Sequence, residues 1–256
     1  VLQGLILGPT LFAMVINFFR VVNPNSKCIF YADDLSIIHT VSKDHPDHSQ
    51  SEIDNLTSWS AQQRLFLNPK KCFTMAFHKN KESLVPPINI LNEPLQSVDS
   101  LKLLGVYFST NLNSSNHGQY ILKKCCAAMA ALYKLYCSGI EGVFLWRAYL
   151  ALVFSHMAYC WPVICDLPNN LLIKFENFEK RASKLSGLKY DHGACCRRLD
   201  KICIKLMSKI SVQPDHPLRS CFTVRSAPAV NLRTHAALVP VNKSSRLLKS
   251  FAKFYH

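Results

Sequence analysis

The chain has 256 residues, 49% of them hydrophobic and 18% charged. That composition excludes a disordered chain, and 8 Gly with 13 Pro exclude collagen-like and low-complexity classes. At roughly 150 residues per domain, the length predicts one or two domains with a core of ordinary size. The net charge of +14 is unevenly placed. Residues 1–118 balance 9 Lys+Arg against 9 Asp+Glu, whereas residues 119–256 carry 21 against 7. Such asymmetry points to a polyanionic partner, nucleic acid before an anionic membrane, with a solvated basic surface as the alternative.

The eleven cysteines form no C-x-x-C pair and no repeated ligand spacing. Cys195, Cys196 and Cys203 lie near His192, but the spacing is a poor zinc signature. Free buried thiols in a reducing compartment are expected, with no disulfide partner and an intracellular location, cytoplasm or nucleus. The first residue is Val1, not Met, so the simplest expectation is a piece of a longer reading frame. No signal peptide is visible. Ala148–Cys165 approaches the length of a membrane span, but His156 and Pro162 interrupt it, which predicts a buried helix and no membrane partner.

In chain order, Gly8-Pro9 opens a helix, with Leu11, Phe12, Val15, Phe18, Phe19 and Val22 at helical spacing. Asn23-Pro24-Asn25 breaks it. Cys28–Ala32 reads as a short strand, Asp33-Asp34 as a turn, and Leu35–Ile38 as the returning strand. Ser49–Phe66 reads as a helix ended by Asn68-Pro69, and Lys71–Phe77 as a strand. Ile88–Leu91 and Leu95–Val98 read as a hairpin around Asn92-Glu93, and Lys102–Phe108 as one strand containing Gly105. This mixture predicts an α+β class with an antiparallel sheet and packed helices. Asn111–Asn116 clusters polar turn-formers and marks a boundary. Beyond it, Tyr120–Cys137, Val143–Tyr159, Asn170–Leu185 and Cys195–Ile210 read as helices. Three regions are therefore expected: 1–110, a basic helical 117–210, and an irregular tail 211–256.

Tyr31-Ala32-Asp33-Asp34 is the sharpest chemical feature. A turn lets adjacent carboxylates face one side, where they repel unless a divalent cation neutralises them. Hard oxygen ligands suit Mg²⁺, often together with phosphates. An ordinary Asp-Asp turn is the competing reading.

The surroundings of that turn favour the metal reading. Leu2-Gln3-Gly4-Leu5-Ile6-Leu7-Gly8-Pro9-Thr10-Leu11-Phe12 and the Tyr-Ala-Asp-Asp hairpin resemble reverse transcriptases of the non-LTR retrotransposon, or long-interspersed-element, class. In that family P-Q-G-[ST]-x-L-G-P-x-L-F precedes a [FY]-A-D-D hairpin; here Leu2 and Leu5 replace its Pro and its Ser or Thr. Trp59 with Leu67-Asn68-Pro69-Lys70-Lys71-Cys72 and Phe77 resembles a later family segment. Leu103-Leu104-Gly105-Val106 resembles the primer-grip strand, and Glu179-Lys180-Arg181-Ala182 a run in the thumb.

The resemblance implies a partial palm from the Gln-Gly motif onward, followed by an all-α thumb. It implies that Asp33 and Asp34 hold the catalytic Mg²⁺ pair, with Gln3, Gly4, Tyr31, Ala32, Lys70 and Lys71 at the nucleotide and primer pocket. Leu104, Gly105 and Val106 would form the primer grip. Lys123, Lys124, Lys134, Lys180, Arg181 and Lys184 would meet nucleic-acid backbone. The implied partners are an RNA template, a DNA primer or their duplex, and deoxynucleoside triphosphates. The implied reaction is primer 3′-hydroxyl attack on the nucleotide α-phosphate. Gln3 as a loop polar group, Tyr31 as core and the lysines as a solvated helix end remain alternatives. The family's further aspartate lies on a strand before the Gln-Gly segment, and no Asp or Glu occurs between Val1 and Ala32. Half an active site, inactive in polymerisation, is therefore expected. A non-catalytic nucleic-acid-binding remnant is the alternative.

Overall fold

The computed structural model describes residues 6–41, 47–77, 86–224 and 238–240. The fold is mixed α+β and divides into two compact units, residues 1–99 and 100–256.

The first unit begins with α1 (Gly8–Ile16), which has Pro9 in its opening turn. It ends earlier than its apolar spacing predicts, because the Arg20 guanidinium donates to the carbonyls of Asn17 and Phe19 and closes the chain there. Phe19 is buried and meets Phe30 and Trp59 edge to face, with ring centroids 6.0 and 5.2 Å away. Leu11, Phe18 and Val22 of the predicted apolar stripe are exposed instead.

The hairpin pairs β1 (Ser26–Tyr31) with β2 (Asp34–His39) antiparallel. Its inner face carries Cys28, Phe30, Leu35 and Ile37, and Ser26 hydrogen-bonds His39 at 2.8 Å. Helix α2 (Ser49–Gln62) supports the approach to this hairpin. Its Glu52 is buried, and that carboxylate accepts the Val22 and Asn23 N–H groups at 3.1 and 2.6 Å. Two backbone N–H donors thus satisfy this buried carboxylate.

The remaining strands of this unit are short. A 3₁₀ turn (Pro69–Lys71) leads to β3 (Phe73–Thr74), which pairs parallel with β6 (Gln96–Ser97). The predicted strand over 71–77 therefore contracts to two residues. Between them, β4 (Asn89–Ile90) and β5 (Glu93–Pro94) make a hairpin around Leu91 and Asn92, one residue earlier than expected. Both turn residues have positive φ, 50° and 64°, as a type I′ connection needs. The described strands form two-stranded pairs rather than one antiparallel sheet.

The second unit opens with another hairpin, β7 (Ser100–Leu103) and β8 (Val106–Ser109). The single strand predicted for 102–108 is thus two strands. Leu104 and Gly105, at φ 47° and 84°, turn the chain between them. The helices that follow are α3 (Ser115–Cys137), which starts five residues before the predicted Tyr120, α4 (Gly142–Tyr149) and α5 (Ser155–Ala158), where one helix is predicted over 143–159, α6 (Trp161–Ile164), which is not predicted, and α7 (Asn169–Leu185) and α8 (Ala194–Val212), close to their predicted bounds. A π-helical stretch (Leu150–Phe154) joins α4 to α5, and Cys160 at φ 54° separates α5 from α6. Tyr149, Val153, Met157 and Trp161 repeat every fourth residue and are all buried. The apolar segment 148–165 is therefore core, and no described helix is long and apolar enough to cross a membrane. The last described strands, β9 (Phe222–Val224) and β10 (Leu238–Pro240), pair antiparallel, and most of the predicted tail lies outside the described residues.

One ion pair lies within this helical core. Glu179 of α7 is 1% exposed, and Arg198 of α8 donates through both terminal nitrogens to one carboxylate oxygen at 2.9 Å. Tyr149 donates to the other oxygen at 3.3 Å. The guanidinium also lies over Trp146 and Phe154, 5.3 and 5.9 Å from the ring centroids. Burial raises the Glu179 pKa and the Arg198 charge opposes that rise.

Helices α4 and α7 approach so closely that only glycine fits at Gly142. A Cβ there would sit 2.2 Å from the Ser186 carbonyl oxygen. Gly142→Ala should cost about 2 kcal/mol by forcing the two helices apart. Urea denaturation of the variant against the parent measures it, and an unchanged midpoint would contradict this packing.

Candidate functional site

Two residues, Ala32 and Asp33, connect β1 to β2, so Tyr31 pairs directly with Asp34. The turn lies one residue earlier than predicted: Asp33 is in the loop and Asp34 opens the returning strand. Ala32 has φ 52°, the sign that a primed two-residue turn requires at its first central position. Alternation along both strands puts Lys27, Ile29, Tyr31, Asp34, Ser36 and Ile38 on the face opposite Phe30. On that face Ile29, Tyr31 and Ile38 are more than half exposed. Asp33 and Asp34 are exposed too, and neither carboxylate has a hydrogen-bond or ion-pair partner among the described residues. Two adjacent, unneutralised carboxylates thus stand at the hairpin tip. Their hard oxygen donors fit Mg²⁺, which commonly takes one or two carboxylates and leaves its other positions to water or phosphate. No group of three or more His, Cys, Asp or Glu able to hold a metal ion occurs among the described residues.

Gln3 and Gly4 lie outside the described residues. Lys70 and Lys71 are exposed on the 3₁₀ turn, where the Asn68 side chain caps the Lys70 N–H at 3.2 Å. No hydrogen bond or ion pair among the described residues ties either lysine to the hairpin. Leu104, Gly105 and Val106 belong to the second unit. There the Tyr159 hydroxyl donates to the Leu104 carbonyl at 2.6 Å, and its ring lies 3.4 Å from where a Gly105 Cβ would be. Val106 is buried in the helical core. The Leu104–Gly105 turn is thus fastened to the end of α5.

The predicted basic residues Lys123, Lys124 and Lys134 are exposed on α3, and Lys180, Arg181 and Lys184 on α7. The fold adds two cations that sequence reading missed. Lys102 of β7 donates to the Tyr120 hydroxyl at 3.2 Å, and Lys102 and Lys124 lie 4.8 and 5.1 Å from the Tyr120 ring centroid. Their hydrogen bonds and charges lower the Tyr120 pKa. Lys174 is exposed on α7, seven residues before Arg181 and so on nearly the same face. That spacing was the available signal.

Residues 1–108 match the family model of the reverse transcriptase (RNA-dependent DNA polymerase). The matched span contains the Asp33–Asp34 tip, the Lys70–Lys71 turn and the Leu104–Val106 turn. No curated protein and no solved structure matches the chain.

His117 sits beneath the Lys102–Tyr120 cluster, 1% exposed. Its Nδ1 accepts the Tyr107 N–H at 3.3 Å, while Nε2 has no partner. Burial first, and Lys102 second, lower its pKa from the ordinary 6.5. The unfolded chain then takes up the proton at a higher pH than the folded one. Stability from the neutral ring is complete above 6.5 and is lost as pH falls from there towards the lower folded value. Urea midpoints should therefore drop between neutral and mildly acid pH more for the parent than for His117→Gln. Equal drops would show that the buried imidazole does not drive the pH response.

Proposed function

We propose that the chain is part of an RNA-directed DNA polymerase of a non-LTR retrotransposon. Residues 1–110 supply a portion of its palm, and the basic helices of 117–210 supply its thumb. The observation that carries this reading is the exposed, unpartnered Asp33–Asp34 pair on a two-residue turn, inside the span that matches the reverse transcriptase family. Asp33 and Asp34 would hold Mg²⁺. Bound there, the metal would supply charge neutralisation at the reacting phosphates. Tyr31 and Ala32 would lie against the nucleotide and primer end, with Gln3 and Gly4 at the same pocket. Lys70 and Lys71 would meet nucleotide phosphates, and Leu104, Gly105 and Val106 the primer strand. RNA template, DNA primer and deoxynucleoside triphosphates are the partners of this reading. It places the protein inside the cell, in the cytoplasm or nucleus.

A specific observation favours a second, non-catalytic reading for the chain by itself. Two carboxylates, with no third metal-capable side chain grouped with them among the described residues, make an incomplete two-metal site. The excess positive charge lies after residue 118 and remains available to hold an RNA–DNA duplex by its phosphates.

Primer extension separates the two readings. The chain alone should not extend a DNA primer on an RNA template with Mg²⁺ or Mn²⁺. Fused to the fingers and first palm strand of a related active element, it should do so, and Asp33→Ala should then abolish extension. Lys123→Ala should only weaken template binding, because it would touch backbone charge rather than the reacting phosphate. Mg²⁺-dependent synthesis by the chain alone would overturn the half-site. Continued synthesis by the Asp33→Ala fusion would overturn the role of Asp33.

A further inference from the structure

A groove of about 340 Å³ runs between the starts of α3 and α7 in the second unit. Ser115, Gln119 and Lys123 line it from α3, and Asn170 and Lys174 from α7. Leu122, Leu171 and Pro168 complete the lining with apolar surface. No carboxylate faces the groove, although it lies between two lysines. The nearby acid, Asp166, accepts the Ser114 hydroxyl at 2.5 Å.

The backbone adds to this positive field. Neither helix has an acidic residue in its first turn, and the start of α7 has no side-chain cap, whereas on α3 the Asn113 Oδ1 accepts the Ser115 N–H at 2.8 Å. Pro168 heads α7, and the Asn169 and Asn170 N–H groups have no acceptor among the described residues. Unpaired amides at a helix start favour an anion beside them. Gly118 makes the close approach possible: a Cβ there would lie 2.6 Å from side-chain carbons of both Leu167 and Leu171.

We propose that this groove holds a backbone phosphodiester of an RNA–DNA duplex, with Lys123 and Lys174 flanking the phosphate. Gln119 and Asn170 donate their side-chain amides, and the leucine and proline surface packs against the sugar. A free inorganic anion needs no such apolar wall, whereas a sugar–phosphate backbone alternates charged and apolar parts. The site rests on the duplex-binding reading above and adds to it a second lysine, two amides and a defined place. Lys102 and Lys124 flank Tyr120 on the neighbouring face of α3, one residue round the helix from Gln119 and Lys123.

The test uses the full chain and a short RNA–DNA hybrid. Binding is measured across salt, with hydrogen exchange read at the starts of α3 and α7. Lys123→Gln/Lys174→Gln should weaken binding about tenfold and lower the slope of log affinity against log salt by about one. It should also remove the duplex-dependent protection of both helix starts. Lys123→Arg/Lys174→Arg should retain parental binding, and Lys209→Gln on α8 should change nothing. Circular dichroism of each variant confirms that the helices are intact. Duplex binding with unchanged affinity, slope and protection in the glutamine pair would overturn the groove and leave the duplex reading standing. No binding by the parent at low salt would overturn both. Equal protection by inorganic phosphate or by a free deoxynucleoside triphosphate would reassign the groove to small anions and overturn the backbone assignment.

Discussion

With only two residues between the strands, the β1–β2 hairpin has one available register. Tyr31 stands opposite Asp34, and every later pair to Ser26 and His39 follows from that. A slip by one residue would turn Phe30, Leu35 and Ile37 outward and remove Phe30 from Phe19. The cost is a non-glycine residue, Ala32, at positive φ, on the order of 1 kcal/mol. Glu52 offsets that cost indirectly. Its buried carboxylate fixes the Val22 and Asn23 amides and so sets where the chain enters β1. The acid that shapes the site is therefore not one of the two that stand in it.

The second unit also depends on a buried carboxylate. Glu179 belongs to the run Glu179-Lys180-Arg181-Ala182, yet it faces inward with Ala182 while Lys180 and Arg181 face out. Burying a single carboxylate is costly unless it is paired and hydrogen-bonded. Arg198 and Tyr149 satisfy both oxygens and tie α4, α7 and α8 together at one point. The basic surface of α7 is thus held on a helix whose inner face is constrained by charge as well as by Phe175 and Phe178.

Where local chemistry decided the structure, the sequence was readable. Apolar residues on either side of Asp33-Asp34 located the first hairpin, and helical periodicity located α3, α7 and α8 within a few residues. The failures are turns whose first residue is a leucine. Leu104 and Leu91 both take positive φ, which leucine does not advertise, so one hairpin was read as a strand and another was displaced by a residue. Helix α1 misled for the opposite reason. Its apolar spacing continues past Ile16, but the Phe18 and Phe19 N–H groups tighten onto the Val15 and Ile16 carbonyls, and Arg20 then bonds the Asn17 and Phe19 carbonyls. At the candidate site, the carboxylate pair was visible because its two members are adjacent. Lys102 with Tyr120, and Lys123 with Lys174, were not visible as partners, because nothing in periodicity reports which side chains two separate elements bring together.

That difference bears on how the net charge should be interpreted. A count of cations treats Lys123, Lys134 and Lys184 alike, since all are exposed and none has an ion pair among the described residues. The fold distinguishes them. Lys123 is set against a second cation, two amides and an uncapped helix start, whereas Lys134 stands in the last turn of α3, where the helix carbonyls already offset its charge. Ions condensed along a nucleic-acid duplex are displaced by any well-placed cation, so both lysines can add to affinity. Only the first lines the groove proposed to seat a phosphate. For the duplex binding proposed above, position rather than total charge is what a lysine has to supply.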